Sequence, residues 1–331
     1  MQRQQQAIEW LKSQLPNDSF TFTPASADAS FRRYFRATFG DGSTKIVMDA
    51  PPQHEDCKPF LHIAKLFAEA GAHTPHVYGQ DLAQGFLLLS DLGNTTYLQA
   101  LTADNAPQLY SAATDALIKI QLASRDNELP PYDEALLRRE LNLFPDWYIA
   151  RHLGVTLSEK QQAKLEEVFT RIVANNLAQP KVYVHRDYHS RNLMVTEPNP
   201  GIIDFQDAVY GPLTYDLASL FKDAYVKWDE AEIMDWLIRY WEKARKAGLP
   251  VRADFGEFYR DYEMMGVQRH IKVLGIFARL CHRDGKDGYL KDMPLVMGYL
   301  RAACVRYIDL KPLLNILDEL EQNKPVTGYT F

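Results

Sequence analysis

The segment from Val182 to Asp207 constrains this chain more than any other. It opens on a short apolar run, Val182-Tyr183-Val184, continues through a polar loop from His185 to Asn192, and returns to an apolar run, Leu193-Met194-Val195. A further strand, Gly201-Ile202-Ile203, leads into Asp204-Phe205-Gln206-Asp207. Asp187, Asn192 and Asp204 therefore stand at strand ends or in the loop between strands, where polar groups converge while their apolar flanks stay buried.

Phosphoryl transfer needs a carboxylate beside the attacking hydroxyl and hard oxygen ligands for magnesium on the phosphates. An Asp, an Asn five positions on and an Asp twelve beyond that supply this set in the order of a kinase catalytic loop and its metal-binding partner. A solvated loop would use Asp and Asn for turns alone; the flanking strands and the downstream Ile-Asp-Phe favour catalysis. The expectation is Asp187 as base and Asn192 and Asp204 as ligands of Mg2+, with ATP as the donor. His185 is expected to support the loop.

The rest of the chain must fit around this segment. At 331 residues it is too long for one small core and suits two lobes. A helix is expected over 3–15, strands near 20–23, 33–39, 44–49, 76–80 and 85–90, and a helix over 57–70 that stops at Gly71. Beyond Gly93 helical periodicity dominates 105–124, 133–151 and 158–177, and resumes from 213 to 320. The fold class is thus α+β and protein-kinase-like, with a small β-rich N-lobe over 1–92 and a larger, mainly helical C-lobe over 93–331. Net charge is −6, so nothing advertises nucleic acid or an anionic membrane surface. Cys57, Cys281 and Cys304 show no metal or disulfide spacing, and a cytoplasmic protein without an obligatory protein partner is the expectation.

His185–Asn192, Ile203–Ala208 and Gly211-Pro212-Leu213-Thr214-Tyr215-Asp216-Leu217-Ala218 resemble the signature of aminoglycoside phosphotransferases and their sugar, choline and homoserine kinase relatives. The resemblance runs from about Ala25 to the C-terminus, and it implies that Asp216 braces the catalytic loop. Ser26–Arg36, Val47–Pro52 and Gly85–Gly93 narrow it towards the amino-sugar 1-kinases of that superfamily. That implies an amino-sugar substrate phosphorylated at its anomeric hydroxyl, in peptidoglycan recycling. The alternatives are a kinase for another small alcohol or amino alcohol, and a catalytically dead nucleotide-binding sensor. A protein kinase fits less well, because only eleven residues separate Asp204 from Asp216 and no Ala-Pro-Glu follows.

Around the nucleotide the pattern departs from other kinases. The turn over 24–32, with Ser26, Asp28, Ala29 and Ser30, is rich in small and hydroxyl residues suited to covering phosphates, yet has no glycine. Ser90, Asp91 and Leu92 resemble the hinge that meets adenine. Asp49 aligns where kinases carry the third-strand Lys, with Lys45 and Val47 sharing its inward face, and Phe60 stands where the partner Glu belongs. Arg32, Arg33 or Arg36 is expected to supply the missing positive charge.

For the acceptor, a helix over 264–281 carries a basic set that includes Arg269, His270 and Lys272. It argues against a polycationic drug and suits a neutral or anionic sugar; the plainer expectation is a solvated helix face. Arg186 and Arg191 are expected to contact phosphate or sugar, and Glu140 and Trp147 to bind sugar by hydrogen bonding and stacking.

Overall fold

Helix α1 (Gln2–Gln14) buries Ala7, Trp10 and Leu11, a spacing that puts all three on one stripe. The computed structural model describes residues 2–16, 18–27 and 31–322. The stripe packs on one face of a five-stranded antiparallel sheet, where β1 (Phe20–Ala27), β2 (Arg33–Phe39), β3 (Thr44–Asp49), β4 (Val77–Asp81) and β5 (Phe86–Ser90) lie in the order β1-β2-β3-β5-β4. Side chains alternate across a strand. Ala37, Val47, Phe86 and Leu88 therefore meet α1, with Trp10 stacked on Phe86 at 5.6 Å. Their neighbours Arg36, Ile46 and Leu89 line a cavity instead. Between β3 and β4 lies α2 (Lys58–Glu69), and after β5 come α3 (Tyr97–Ala100) and α4 (Ala106–Leu122).

By proximity the described chain forms two units, the first within 1–123 and 191–208 and the second within 124–190 and 209–331. In the second, α5 (Glu134–Leu141), a π-helix (Phe144–His152) and α6 (Glu159–Leu177) precede β6 (Lys181–Val184). The chain then enters the first unit as the pair β7 (Leu193–Met194) and β8 (Gly201–Ile202). It returns as β9 (Val209–Pro212), antiparallel to β6, followed by α7 (Tyr215–Phe221), α8 (Glu230–Lys246), α9 (Phe255–Asp284), α10 (Met293–Arg306) and α11 (Lys311–Gln322).

Three expectations change. The single helix foreseen over 133–151 breaks near Asn142 and continues as the π-helix. Pro145 has no N–H to donate to a regular helix. The segment also lies tight against α9, where a Cβ on Gly275 would come within 2.5 Å of the Leu143 backbone. The inward face assigned to Lys45, Val47 and Asp49 is the α1 face, not the cavity face. Lys45 Nζ lies 3.6 Å over the Tyr78 ring, and Asp49 is 0 % exposed, ion-paired to Arg3 of α1 and to its cross-strand neighbour Arg33. Third, the basic set of α9 is solvated only towards the end of the helix, where His282 and Arg283 are exposed. Arg269, His270 and Lys272 are all buried, because α5, α6, α7, α10 and the π-helix pack around α9.

Candidate active site

In the second unit, β6 ends at Val184 and hands the chain to the polar loop. Asp216, in the first turn of α7, accepts the backbone N–H of His185 at 2.7 Å and of Arg186 at 3.0 Å. Those bonds hold Arg186 at φ +76°, a left-handed conformation that costs a non-glycine residue about 1–3 kcal/mol. His185 is buried, and its Nδ1 accepts the Asp187 N–H at 3.2 Å while its ring meets Tyr188 edge-on. The Ser190 N–H donates to Asp223 at 3.0 Å. Backbone donors of the loop thus end on buried side chains of α7 and its surroundings.

The electrostatics separate two acids 29 positions apart in the chain. Burial works to raise the Asp187 carboxyl, but the positive charges of Lys272, His189, Arg269 and Arg186 hold it below its ordinary value. Asp216 goes the other way. Burial, reinforced by the charge of Asp187, pushes it up to about 7 against the two N–H groups it accepts. Neighbouring carboxyls driven apart in this way are a recurring mark of catalytic sites.

Beside them lies a closed network. One oxygen of Glu140 pairs with Arg186 and, at 3.1 Å, with Lys272; the other accepts from Tyr132 and, at 2.9 Å, from Gln268. Burial works against its ionisation, yet the two cations keep the Glu140 carboxyl below its usual value. Glu140, expected at the sugar, is thus engaged on both oxygens by protein. His270 stacks on Tyr299, with its Nε2 3.4 Å from the Lys222 carbonyl oxygen, and burial holds its imidazole neutral. Trp147 is half-buried on the π-helix. Arg269 is 3 % exposed, forms no hydrogen bond or ion pair among the described residues, and buries Nη1 without a partner. Sequence reasoning missed Lys272 as a charge partner of Asp187 and Glu140. The available signal was its position one helical turn after Arg269.

In the first unit a cavity of about 380 Å³ is walled by Ile46, Leu89, Leu92, Met194 and Ile203, and edged by Ser90, Asp91, Arg191, Asn192 and Asp204. Its rim is braced. Arg36 binds the Asp91 carboxylate through two nitrogens and reaches the Gly93 carbonyl at 3.1 Å, while Ser90 Oγ accepts the His76 N–H at 2.9 Å. Arg33 is committed to Asp49, so of the three arginines only Arg32 faces the metal-ligand candidates. Its Nη2 lies 4.0 Å from Asp204 Oδ1, and its Nε 3.8 Å from Glu55. Where other kinases carry Glu, Phe60 packs on Phe205 with ring centres 4.9 Å apart. The missing ion pair is replaced by an aromatic contact on one face of the sheet and by the Asp49 cluster on the other. Asp28, Ala29 and Ser30 lie outside the described residues, and of Ser26 only the backbone is described, paired with Tyr34.

Asn192 and Asp204 come together, with Nδ2 of the amide 3.3 Å from Asp204 Oδ2, and Gln206 Nε2 donates to Oδ1 at 2.8 Å. Asp204 itself is held at φ +63°, and the Gln206 amide oxygen is buried without a partner. Carboxylate and amide oxygens, one of them orphaned, suit a hard cation such as magnesium. Among the described residues no group of three or more His, Cys, Asp and Glu forms a cage. The set therefore fits an ion carried in on a nucleotide better than one bound by protein alone.

Residues 21–255 match the model of the phosphotransferase enzyme family. A protein of Pseudomonas putida named N-acetylmuramate/N-acetylglucosamine kinase is 51% identical over 96% of this chain and 97% of its own length. One of Neisseria meningitidis with the same name is 49% identical over the full length of both, and one of Caulobacter vibrioides is 31% identical over 82% of this chain and 85% of its own. Among solved structures, the fold is shared with a choline/ethanolamine kinase family protein from Mesorhizobium loti, at TM-score 0.63 and 14% identity over 95% of this chain and 99% of that one. It is shared equally with the ADP-bound aminoglycoside phosphotransferase APH(2'')-Ib, at TM-score 0.60 and 14% identity over 89% and 97%. No described helix is long and apolar enough to cross a membrane.

Proposed function

We propose a function from one premise: this chain belongs to the phosphotransferase enzyme family. It is an ATP-dependent kinase that places phosphate on the anomeric 1-hydroxyl of N-acetylmuramate and N-acetylglucosamine, a step of peptidoglycan recycling. The observation that carries this reading is the 49–51% identity, across nearly the whole chain, to proteins named N-acetylmuramate/N-acetylglucosamine kinase.

In this reading Asp187 accepts a hydrogen bond from the anomeric hydroxyl and takes its proton as the oxygen attacks. Lys272, Arg269 and Arg186 favour that role by keeping the carboxylate ionised. His185 and Asp216 position the loop through backbone N–H groups. The apolar walls of the first unit's cavity enclose adenine, backbone groups of Ser90–Leu92 bond its edge, and Arg32 and Arg191 meet the phosphates. Asn192 and Asp204 would hold magnesium, which neutralises charge on the phosphates when bound. In functional terms residues 1–92 form the nucleotide lobe and 93–331 the catalytic and sugar lobe. The free thiols of Cys57, Cys281 and Cys304 suit a reducing, cytoplasmic setting.

The test is ATP consumption with magnesium against N-acetylmuramate, N-acetylglucosamine, glucose, choline and kanamycin, followed by phosphorus NMR of the product. Turnover confined to the N-acetylated sugars, with phosphate on carbon 1, is the expected result. Turnover of choline or kanamycin alone would overturn the substrate, and ATP binding without turnover of any acceptor would favour a nucleotide sensor.

A further inference from the structure

The loop that carries Asp187 is held on both flanks by one short stretch of chain. Before the base, Asp216 in the first turn of α7 accepts the N–H groups of His185 and Arg186 at 2.7 and 3.0 Å. After it, the Ser190 N–H donates at 3.0 Å to Oδ2 of Asp223, two residues past the end of α7. Oδ1 of Asp223 accepts the N–H of Tyr225 at 3.1 Å, and the Tyr225 ring meets the His189 ring edge-on, with 5.6 Å between centres. Segment 223–225 thus touches the loop twice, at the backbone of Ser190 and at the side chain of His189.

This second hold answers a need that the first leaves open. Between the flanks the backbone is a local turn, in which the His189 N–H donates to the Asp187 carbonyl at 3.0 Å and the Asp187 N–H to Nδ1 of His185 at 3.2 Å. Bonds inside a turn fix its shape but not its direction, and Arg186, at φ +76°, is a strained residue that its surroundings must hold in place. Anchored at His185 and Arg186 alone, the turn could pivot about its first residues; anchored at Ser190 as well, it cannot. Ser190 and Asp223 are each 1 % exposed, so neither end of their bond can turn to water instead. The chemistry tolerates little error, since a misplacement of about 1 Å can cost about 10²-fold in rate. The same turn carries His189, one of the charges that keep Asp187 ionised.

We propose that Asp223 is a positioning residue for the base, fixing the half of the loop that follows Asp187 as Asp216 fixes the half that precedes it. This inference rests on the sugar-kinase reading above, with Asp187 as the base. Asp223 acts through the backbone of Ser190 and not by contact with nucleotide or acceptor. Both of its carboxylate oxygens are used, one on the loop and one on Tyr225, so an amide with its single acceptor oxygen is an incomplete substitute.

The experiment measures kcat, the KM of N-acetylglucosamine and the Kd of ATP for Asp223→Asn and Asp223→Ala, each in the wild-type chain and in Asp187→Asn. Turnover is counted per ATP-binding site, so that misfolded protein does not enter. In the wild-type background kcat should fall about 10- to 100-fold for Asp223→Ala and less for Asp223→Asn, with KM and Kd within about 3-fold of the wild type. In the Asp187→Asn background the same substitutions should lower kcat by less than about 2-fold, because a base that is absent cannot be misplaced. Equal falls in both backgrounds would leave Asp223 a structural role only and overturn the proposal, as would an unchanged kcat or a loss confined to KM. Should Asp223→Ala not fold, Asp223→Asn decides by the same comparison. A wild type that does not phosphorylate the sugar would remove the sugar-kinase reading and this inference with it, whereas an active wild type with unaffected Asp223 variants overturns the inference alone.

Discussion

Asp49 on β3 and Arg269 on α9 are both charges taken out of water, and they have opposite surroundings. Asp49 is held by Arg3 and Arg33 on the sheet face that packs against α1. Arg269 has no such partner among the described residues. A buried charge whose counter-ions come from the chain ties elements together, here α1 to the sheet. One without a bonded partner ties nothing together; Arg269 instead acts by its charge on the buried acids Asp187 and Asp216. Asp187 lies between the two cases, its charge maintained by Lys272, His189, Arg269 and Arg186, two of which also pair with Glu140.

The largest effect tests that middle case. Asp187→Asn should cut turnover by at least about 10²-fold, and up to about 10⁴-fold, while leaving folding and ATP affinity near those of the wild type. Steady-state kinetics and nucleotide titration separate these. The comparison with Arg269 sharpens here. Arg269→Met removes one of the four charges that keep Asp187 ionised, so it should lower turnover on every acceptor alike, by less than Asp187→Asn does. Near-normal turnover of Asp187→Asn would remove Asp187 as the base.

The closed case gives the next largest effect, and it falls on stability. Replacing Arg3 and Arg33 together by Met leaves Asp49 buried and unpaired, which should cost about 3–5 kcal/mol in urea denaturation. Adding Asp49→Leu removes the stranded charge and should recover most of it. ATP affinity of the triple variant should be unchanged, since the cluster lies on the sheet face away from the cavity. A double variant as stable as the wild type would show that Asp49 is not a structural centre, and the contrast with Arg269 would lose its reference.

These regions also differ in how far the chain announced them. Asp187, Asn192 and Asp204 were legible because their spacing is local and their flanks are apolar strands. The sheet followed from alternation and turn residues. Asp49 was legible as a departure but not as a cluster: its partner Arg3 is 46 residues away, and choosing its face required knowing where α1 packs. Arg269 and Lys272 were visible as basic residues. Their burial was not, since an apolar stripe along Met264, Val267, Ile271 and Leu274 describes one face of α9 and says nothing about helices closing over the others. Glu140 and Lys272 stand 132 positions apart, so their pairing is a property of packing, not of pattern.

The smallest effect concerns Asp216, a buried acid whose partners are backbone N–H groups instead of cations. Its folded pKa of about 7 lies above the unfolded value of about 4, so the native state holds more protons than the unfolded one between those limits. The stability it supports is complete below about pH 4, declines as pH rises and is lost above about pH 7. Asp187 contributes the opposite slope, but at pH values below the ordinary carboxylate range, so the two windows stay apart. Thermal midpoints of the wild type should therefore fall between pH 5 and pH 7 by more than those of Asp216→Asn, which cannot titrate yet keeps an acceptor oxygen for the loop. Parallel profiles would mean that the two N–H donors from His185 and Arg186 outweigh burial and keep Asp216 ionised, making it a satisfied centre of the same kind as Asp49.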